Sequence, residues 1–439
     1  MTTSRAERPG TDGPLSSALL AGVETCYVWT WLPGAADPVV AGRLDVTRTG
    51  GAYGPVLSFT YGRSYRERPD ALALFTPELP LRSGTFDPER PVTPGREPGP
   101  LAGCLRDASP DAWGRRVVNL RLGPDPDVDL SELTYLLASS SDRIGALDFQ
   151  LSATDFVARG SEASLDQLVA FAGAAESGEP IPPDLAAAAG HGTSIGGARP
   201  KALLEHDGRH LIAKFSSSTD DRPVVKAEAL AMTLARLVGI DVPDVSVVRA
   251  AGKDVLLVER FDRTADGGRR AMVSGLTVLG LSESSARYGS YPMLADAVTT
   301  SFARPAHALD QLYRRLVFNI AVGNNDDHLR NVAAFWDGHE LELTPAYDLT
   351  PQPRSTQVSN QAIGVTPDGD RASQLWVARK AAAVFRLTPR QARAVEEEVV
   401  GGIRTHLDAA ADAARLSSAE KATLLGREIL NPYVFYDQP

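Results

Sequence analysis

The sequence predicts an α+β protein, and three observations carry that expectation. Near the N-terminus, short runs rich in β-branched and aromatic residues are divided by Gly/Pro turns, the pattern of small strands. In mid-chain, two hairpin signals flank a stretch with helical periodicity. Beyond Phe261, apolar residues recur at three- and four-residue spacing, the period of helices that bury one face.

The elements follow in chain order. Residues 1–20 are mostly polar, with Gly and Pro, and read as a disordered tail. Residues 21–150 read as a β-rich domain whose strands are Cys26–Trp31, Pro38–Gly42 and Val56–Tyr61. A Pro-rich connector, Pro88 to Pro100, follows; Ser109-Pro110-Asp111-Ala112-Trp113-Gly114 then opens a helix, with Ser109 expected as cap and Pro110 as its first residue. Residues 151–262 begin with a low-complexity stretch, Glu162 to Gly190, rich in Ala, Gly and Pro. A Gly-rich turn at Ser194–Lys201 leads into Ala202-Leu203-Leu204, a turn at Asp207-Gly208 and a strand over His210–Phe215. Val224, Ala227, Ala231, Leu234 and Leu237 then mark a helix ended by Gly239, and Val245–Val248 pairs with Val255–Val258 around Gly252-Lys253. Residues 263–439 read as helical, with one stripe through Leu309, Leu312, Leu316 and Ile320 and an Ala-, Arg- and Glu-rich region over Gln374–Leu430.

Composition narrows the function. A length of 439 residues allows two or three domains with real cores. The net charge of -10 argues against a surface built for nucleic acid or anionic membrane. Two cysteines make no disulfide framework, and the seven histidines form no ligand pair with one another or with cysteine. No stretch approaches the ~20 apolar residues of a membrane span, and Ala18-Leu19-Leu20-Ala21 is too short for a signal-peptide core. The expectation is a cytoplasmic protein with no membrane contact.

The chemistry concentrates in Asn324-Asn325-Asp326-Asp327-His328-Leu329-Arg330-Asn331, followed by Ala346-Tyr347-Asp348. An Asp and an Asn five residues apart, with a second Asp seventeen further on, is the arrangement of a phosphoryl-transfer site. The same residues also suit a polar turn between a helix and a strand. The order of the other parts favours the first reading. Gly196 and Gly197 let backbone N–H groups approach phosphates, although no Walker loop is present. Lys214 sits on an apolar strand, where its ammonium needs a partner, and Glu228 on the next helix is the candidate. At Glu259-Arg260-Phe261 the β character gives way to helix, a place where adenine could take backbone hydrogen bonds and an aromatic contact. His328 either donates to the transferring phosphate or bonds the backbone of its own loop.

These motifs resemble those of the HipA-like serine/threonine kinases, the toxin half of bacterial toxin–antitoxin pairs. The resemblance runs from about Thr25 to about Leu430. It rests on Ser194-Ile195-Gly196-Gly197-Ala198-x-x-Lys201, Val258-Glu259-Arg260-Phe261-Asp262-Arg263, Asn324-x-Asp326-x-His328-x-x-Asn331 and Tyr347-Asp348. Ser109-Pro110-Asp111-x-Trp113-Gly114-Arg115 and Asp142-Arg143-Ile144-Gly145-Ala146-Leu147 extend it into the N-terminal half. The resemblance implies a two-lobed kinase-like unit, residues 151–262 and 263–439, behind the β-rich domain. It implies ATP and Mg2+ as cofactors, Asp326 as catalytic base, Asn331 and Asp348 as magnesium ligands and Lys214 as the phosphate-binding lysine. The loop Ile195, Gly196, Gly197, Ala198 to Lys201 would cover the phosphates, and the backbone of Glu259 and Phe261 would hold adenine. Ser194 would be the autophosphorylated serine. Arg199-Pro200 departs from the Gln-Glu pair often seen in that loop, so Arg199 could touch phosphate; Arg330 stands where a lysine is common. The implied partners are a protein substrate, such as an aminoacyl-tRNA synthetase, and a small helix-turn-helix antitoxin through which alone DNA would be met. A small-molecule phosphotransferase and a catalytically silent partner of such an antitoxin are the rival readings.

Overall fold

A computed structural model describes residues 20, 22–47, 55–88, 99–123, 128–160, 163–178, 182–194, 197–217, 219–354 and 356–436. The expected tail lies outside these residues except for Leu20, as does most of the Pro-rich connector. The fold is α+β, with antiparallel sheets and segregated helices.

The N-terminal runs pair into one sheet. Strands β1 (Thr25–Thr30), β2 (Val39–Thr47), β3 (Val56–Tyr61), β4 (Thr85–Phe86) and β5 (Leu147–Gln150) lie in the order β4-β3-β2-β1-β5. Alternation along β1 turns Cys26 and Val28 into a core with Leu44, Phe59 and Phe149. Helix α1 (Ala112–Leu122) starts one residue after Asp111, which is its N-cap; the expected cap, Ser109, instead donates its hydroxyl to Glu132 at 2.6 Å. Helix α2 (Glu132–Ala138) is capped by Ser131, whose hydroxyl accepts the Thr134 N–H.

The stretch read as low complexity contains helix α3 (Leu165–Ser177). Its start is a capping box: Ser164 and Gln167 bond each other's backbone N–H groups. Leu168 and Phe171 of α3 pack with Trp113 of α1 against Ala213 and Val255. Those last two belong to a second antiparallel sheet, β6 (Lys201–His206), β7 (Arg209–Phe215), β8 (Val245–Ala250) and β9 (Lys253–Glu259), in the order β6-β7-β9-β8. The β6–β7 turn falls on Asp207-Gly208, both at positive φ (52° and 70°), the twist that suits a two-residue hairpin. The second hairpin turns on Ala251-Gly252, one residue earlier than its composition suggests.

Between these hairpins, helix α4 (Val224–Leu237) buries Ala227, Ala231 and Leu234 as its spacing requires. The helices that follow are α5 (Tyr291–Ser301), α6 (Pro305–Val322), α7 (Leu375–Lys380), α8 (Pro389–Ala413) and α9 (Ser418–Leu424). The reading of residues 263–439 as helical leaves out three short strands. Strands β10 (Ala271–Ser274), β11 (Ala333–Trp336) and β12 (Leu341–Leu343) form a third, antiparallel sheet. Each is three or four residues long, too short to display an alternation, and β10 finds β11 only across the intervening helices. One apolar cluster runs from Val225 on α4 to Val434 near the C-terminus, so the second sheet's helix shares its core with the helical lobe. Among the described residues, no helix is long and apolar enough to cross a membrane.

Candidate active site

Helix α6 delivers the acidic loop. It ends at Gly323 in the left-handed region (φ 74°), where a Cβ would come within 2.6 Å of the Glu428 carbonyl oxygen. Asn324 then ties back to the helix: its N–H reaches Asn319 O at 2.8 Å and its Nδ2 reaches Asn319 Oδ1 at 3.0 Å. Asp327 is buried beneath the loop. Its carboxylate accepts the Tyr291 hydroxyl at 2.6 Å and the Ala362 N–H at 3.0 Å, and burial pushes its pKa up to about 6. Asp326 faces the other way, with a 60% exposed side chain. Desolvation by the surrounding walls raises its pKa, helped by Asp348 and opposed by His328. Asn331 closes the loop by donating Nδ2 to the Asp326 carbonyl at 2.9 Å, which leaves its own Oδ1 as an acceptor. The five-residue spacing to Asn331 singles out Asp326 in the sequence, and the structure adds that its neighbour Asp327 is buried while Asp326 is exposed.

Lys214 comes from β7, Glu228 from α4 and Asp348 from the segment after β12, and the three meet. Lys214 Nζ donates to Glu228 Oε1 at 2.5 Å and to Asp348 Oδ1 at 2.6 Å. Burial disfavours the ammonium, yet Asp348 and Glu228 outweigh it and hold the Lys214 pKa above its ordinary value. Burial likewise opposes ionisation of Asp348, and Lys214 and Lys201 reverse that, keeping it a carboxylate. Asp348 has φ 58°, uncommon for a non-Gly residue, so this contact is made at some backbone cost. Lys201 lies opposite Lys214 across the β6–β7 ladder and is 8% exposed. Burial and then the neighbouring Lys214 lower its pKa.

The strand end at Glu259–Arg263 is locked to the N-terminal domain by its side chains. Arg260 and Arg263 both donate to Asp142 at 2.7 Å and to the Arg143 carbonyl at 2.7 and 2.6 Å, while Asp262 accepts the Gly145 N–H at 2.7 Å. Two motifs that stand far apart in the chain thus interlock. The Glu259 N–H is taken by Asp244 O at 2.8 Å, and the Phe261 ring sits 5.9 Å from both Phe335 and Tyr347.

These parts enclose one cleft of about 830 Å³. Gly197, Ala198, Lys201, Lys214, Glu228, Glu259, Phe261, Asp326, His328, Asn331 and Asp348 all line it. Ile195 and Gly196 lie outside the described residues. Ser194 does not line the cleft: it is 5% exposed, and its hydroxyl donates to the Ser140 carbonyl at 2.9 Å. The His328 carbonyl accepts the Asn331 N–H at 2.9 Å, while its ring Nδ1 is buried without a hydrogen-bond partner and its Nε2 lies 4.0 Å from Asp326 Oδ1. Arg199 also lines the cleft but pairs with Asp220, with Nη2–Oδ1 at 2.6 Å, and Arg330 pairs with Glu283 and with Asp111.

Residues 193–407 match the family described as the HipA-like C-terminal domain. This part of the chain belongs to that family. Serine/threonine-protein kinase toxin HipA of Shewanella oneidensis is 27% identical over 184 residues, 36% of this chain and 42% of the relative. Y4mE of Sinorhizobium fredii, whose name marks it as a candidate kinase, is 32% identical over 147 residues, 31% of this chain and 33% of the relative. These matches thus span about a third to two-fifths of the relatives' length. The solved complex of Shewanella oneidensis MR-1 HipA, HipB and operator DNA is similar in fold, with a TM-score of 0.62 and 16% identity over 93% of this chain and 100% of that one. The α+β architecture of the HipA fold therefore extends over the N-terminal sheet as well as the HipA-like domain.

The oxygens of the HipA-like domain fit magnesium. Asn331 Oδ1 and the second carboxylate oxygen of Asp348 are hard donors, and the described residues hold no cluster of three or more His, Cys, Asp or Glu that would form an all-protein cage. Magnesium keeps few protein ligands and completes its octahedron with phosphate oxygens and water.

Proposed function

We propose that this chain is an ATP- and magnesium-dependent serine/threonine protein kinase acting on a protein hydroxyl and on itself. The observation that carries the reading is the Lys214–Glu228–Asp348 contact, three charges from three elements meeting at the wall of a cleft that Asp326 also lines. Lys214 would anchor phosphate oxygens, held in place by Glu228. Asn331 and Asp348 would hold magnesium, which supplies charge offset on the phosphates. Asp326 would accept the proton of the attacking hydroxyl; its raised pKa makes it a better base than an ordinary surface carboxylate. Gly197, Ala198 and Lys201, with Ile195 and Gly196, would cover the phosphates, and the Glu259 carbonyl with the Phe261 N–H would meet adenine. Positioning and electrostatic offset would do most of the catalytic work.

The resemblance to HipA-like kinases suggests an aminoacyl-tRNA synthetase as a protein target, and a small helix-turn-helix protein as the partner that brings the chain to DNA. The second proposal is supported by likeness to a protein solved with HipB and operator DNA. Ser194 is the modified serine, and its modification requires the segment to leave Ser140 first. Labelled ATP and magnesium, offered with lysate proteins and with small alcohols in parallel, tests the reading. Protein labelling is expected; labelling of small alcohols alone would make the chain a small-molecule phosphotransferase, and no labelling of either would leave a silent binding partner.

A further inference from the structure

The glycine loop is held by the start of helix α1, and the contact runs both ways. Asp111 is the N-cap of α1, a position where a carboxylate ordinarily accepts an N–H from its own first turn. It makes no such bond. Its Oδ2 instead accepts the Gly197 N–H at 2.8 Å, and the Gly197 carbonyl accepts the Trp113 N–H of that first turn at 3.1 Å. Loop and helix thereby satisfy each other's backbone groups. Two further features of the same motif keep them together. Trp113 Nε1 donates to the Lys201 carbonyl at 2.9 Å, and Gly114 lets the helix approach so closely that a Cβ would lie 3.1 Å from the Thr193 carbonyl. The other oxygen of Asp111 lies 3.2 Å from Arg330 Nη1, within the catalytic loop. Asp111 itself lines the cleft.

We infer that Asp111 is a positioning residue that competes with nucleotide phosphate for the Gly197 N–H, an inference that rests on the kinase reading above. A phosphate oxygen and the Asp111 carboxylate carry the same charge and want the same donor. When phosphate takes the Gly197 N–H, Asp111 keeps Arg330, so its charge stays paired. Because Asp111 and Trp113 belong to α1, any partner that shifts α1 shifts the loop, and nucleotide affinity becomes sensitive to what binds the N-terminal half.

The test is ATP–magnesium titration of the full chain and its Asp111→Ala and Asp111→Asn variants, with amide hydrogen exchange at Gly197. Asp111→Ala is expected to speed Gly197 exchange without ligand and to tighten ATP–magnesium binding about fivefold or more, the size of one charge-assisted hydrogen bond no longer given up. Asp111→Asn, whose amide oxygen still accepts the N–H, should lie between. Faster exchange with unchanged or weaker nucleotide binding would overturn the competition while leaving the kinase reading intact. Nucleotide bound by neither wild type nor variant would overturn both. A variant that fails to fold shows as a lost melting transition, and Asp111→Asn then decides: nucleotide binding no tighter than wild type overturns the inference.

Discussion

At the scale of single residues, burial distinguishes the neighbours Asp327 and Asp326 in the acidic loop. Asp326 and Asp348 should fail differently. Asp348→Asn removes a ligand charge and leaves Lys214 with only Glu228, so ATP–magnesium binding should weaken by about tenfold or more. Asp326→Asn keeps shape and should leave binding nearly intact while phosphoryl transfer falls by at least about a hundredfold. Calorimetry and a labelling assay on both variants check this, and equal loss of binding would sink the division of roles. Asp327 predicts a pH effect. Its pKa is about 6 in the folded chain against 3.8 ordinarily, so the folded state holds the proton more tightly. Its stabilising contribution is therefore full below about pH 4 and is lost as pH rises through about 6. In Asp327→Asn, melting temperature should drop less between about pH 5 and about pH 7 than in wild type. Parallel pH profiles would refute the buried-acid account.

At the scale of elements, α8 shows how neighbouring glycines come to differ. Gly401 faces open space, with nothing within 4 Å of an added Cβ, whereas a Cβ at Gly402 would lie 2.6 Å from Val238 Cγ1 beside α4. Gly401→Ala should stabilise by about 0.5–1 kcal/mol, because alanine loses less backbone entropy in a helix. Gly402→Ala should destabilise by about 1–3 kcal/mol, since the contact between the lobes must open. Urea unfolding of the two variants measures the difference, and effects of the same sign would mean that α4 and α8 are not packed this closely. Helix periodicity made α4 and α6 legible because their larger apolar residues recur at three- and four-residue spacing. Helix α3 escaped because its Ala/Gly-rich composition hid its period, although the Ser164–Gln167 box marked its start. Strands β10–β12 left no local signal, since their pairing is set by the helices that bring them together.

At the scale of the molecule, charge sets what the chain does alone. A net charge of -10 leaves little to neutralise DNA phosphate, the source of most non-specific affinity. In a gel-shift assay the isolated chain should not retain DNA, and a basic helix-turn-helix partner should restore retention. Tight, salt-sensitive binding by the chain alone would contradict this. The overall plan, a β-rich front followed by a hairpin-and-helix unit and a helical lobe, was readable because each part has its own period and composition. The core was not: the cluster joining α4 to α8 crosses the boundary that composition suggests near Phe261.

By itself the sequence marked strands β1–β3 and β6–β9, helices α4 and α6, the candidate phosphoryl-transfer pattern of the Asp326–Asn331 loop and the candidate partnership of Lys214 with Glu228. Those follow from local spacing and from the cost of burying an unpaired charge. Only the tertiary structure decided that Asp348 joins that pair, that Asp327 is buried while Asp326 faces the cleft, and that Arg199 and Arg330 are engaged elsewhere. Only it placed the Asp111 carboxylate on the glycine loop and the Ser194 hydroxyl on Ser140. Each of these depends on which surfaces meet between segments from about twenty to more than two hundred residues apart in the chain, and no local pattern encodes that; it is settled when the lobes share a core.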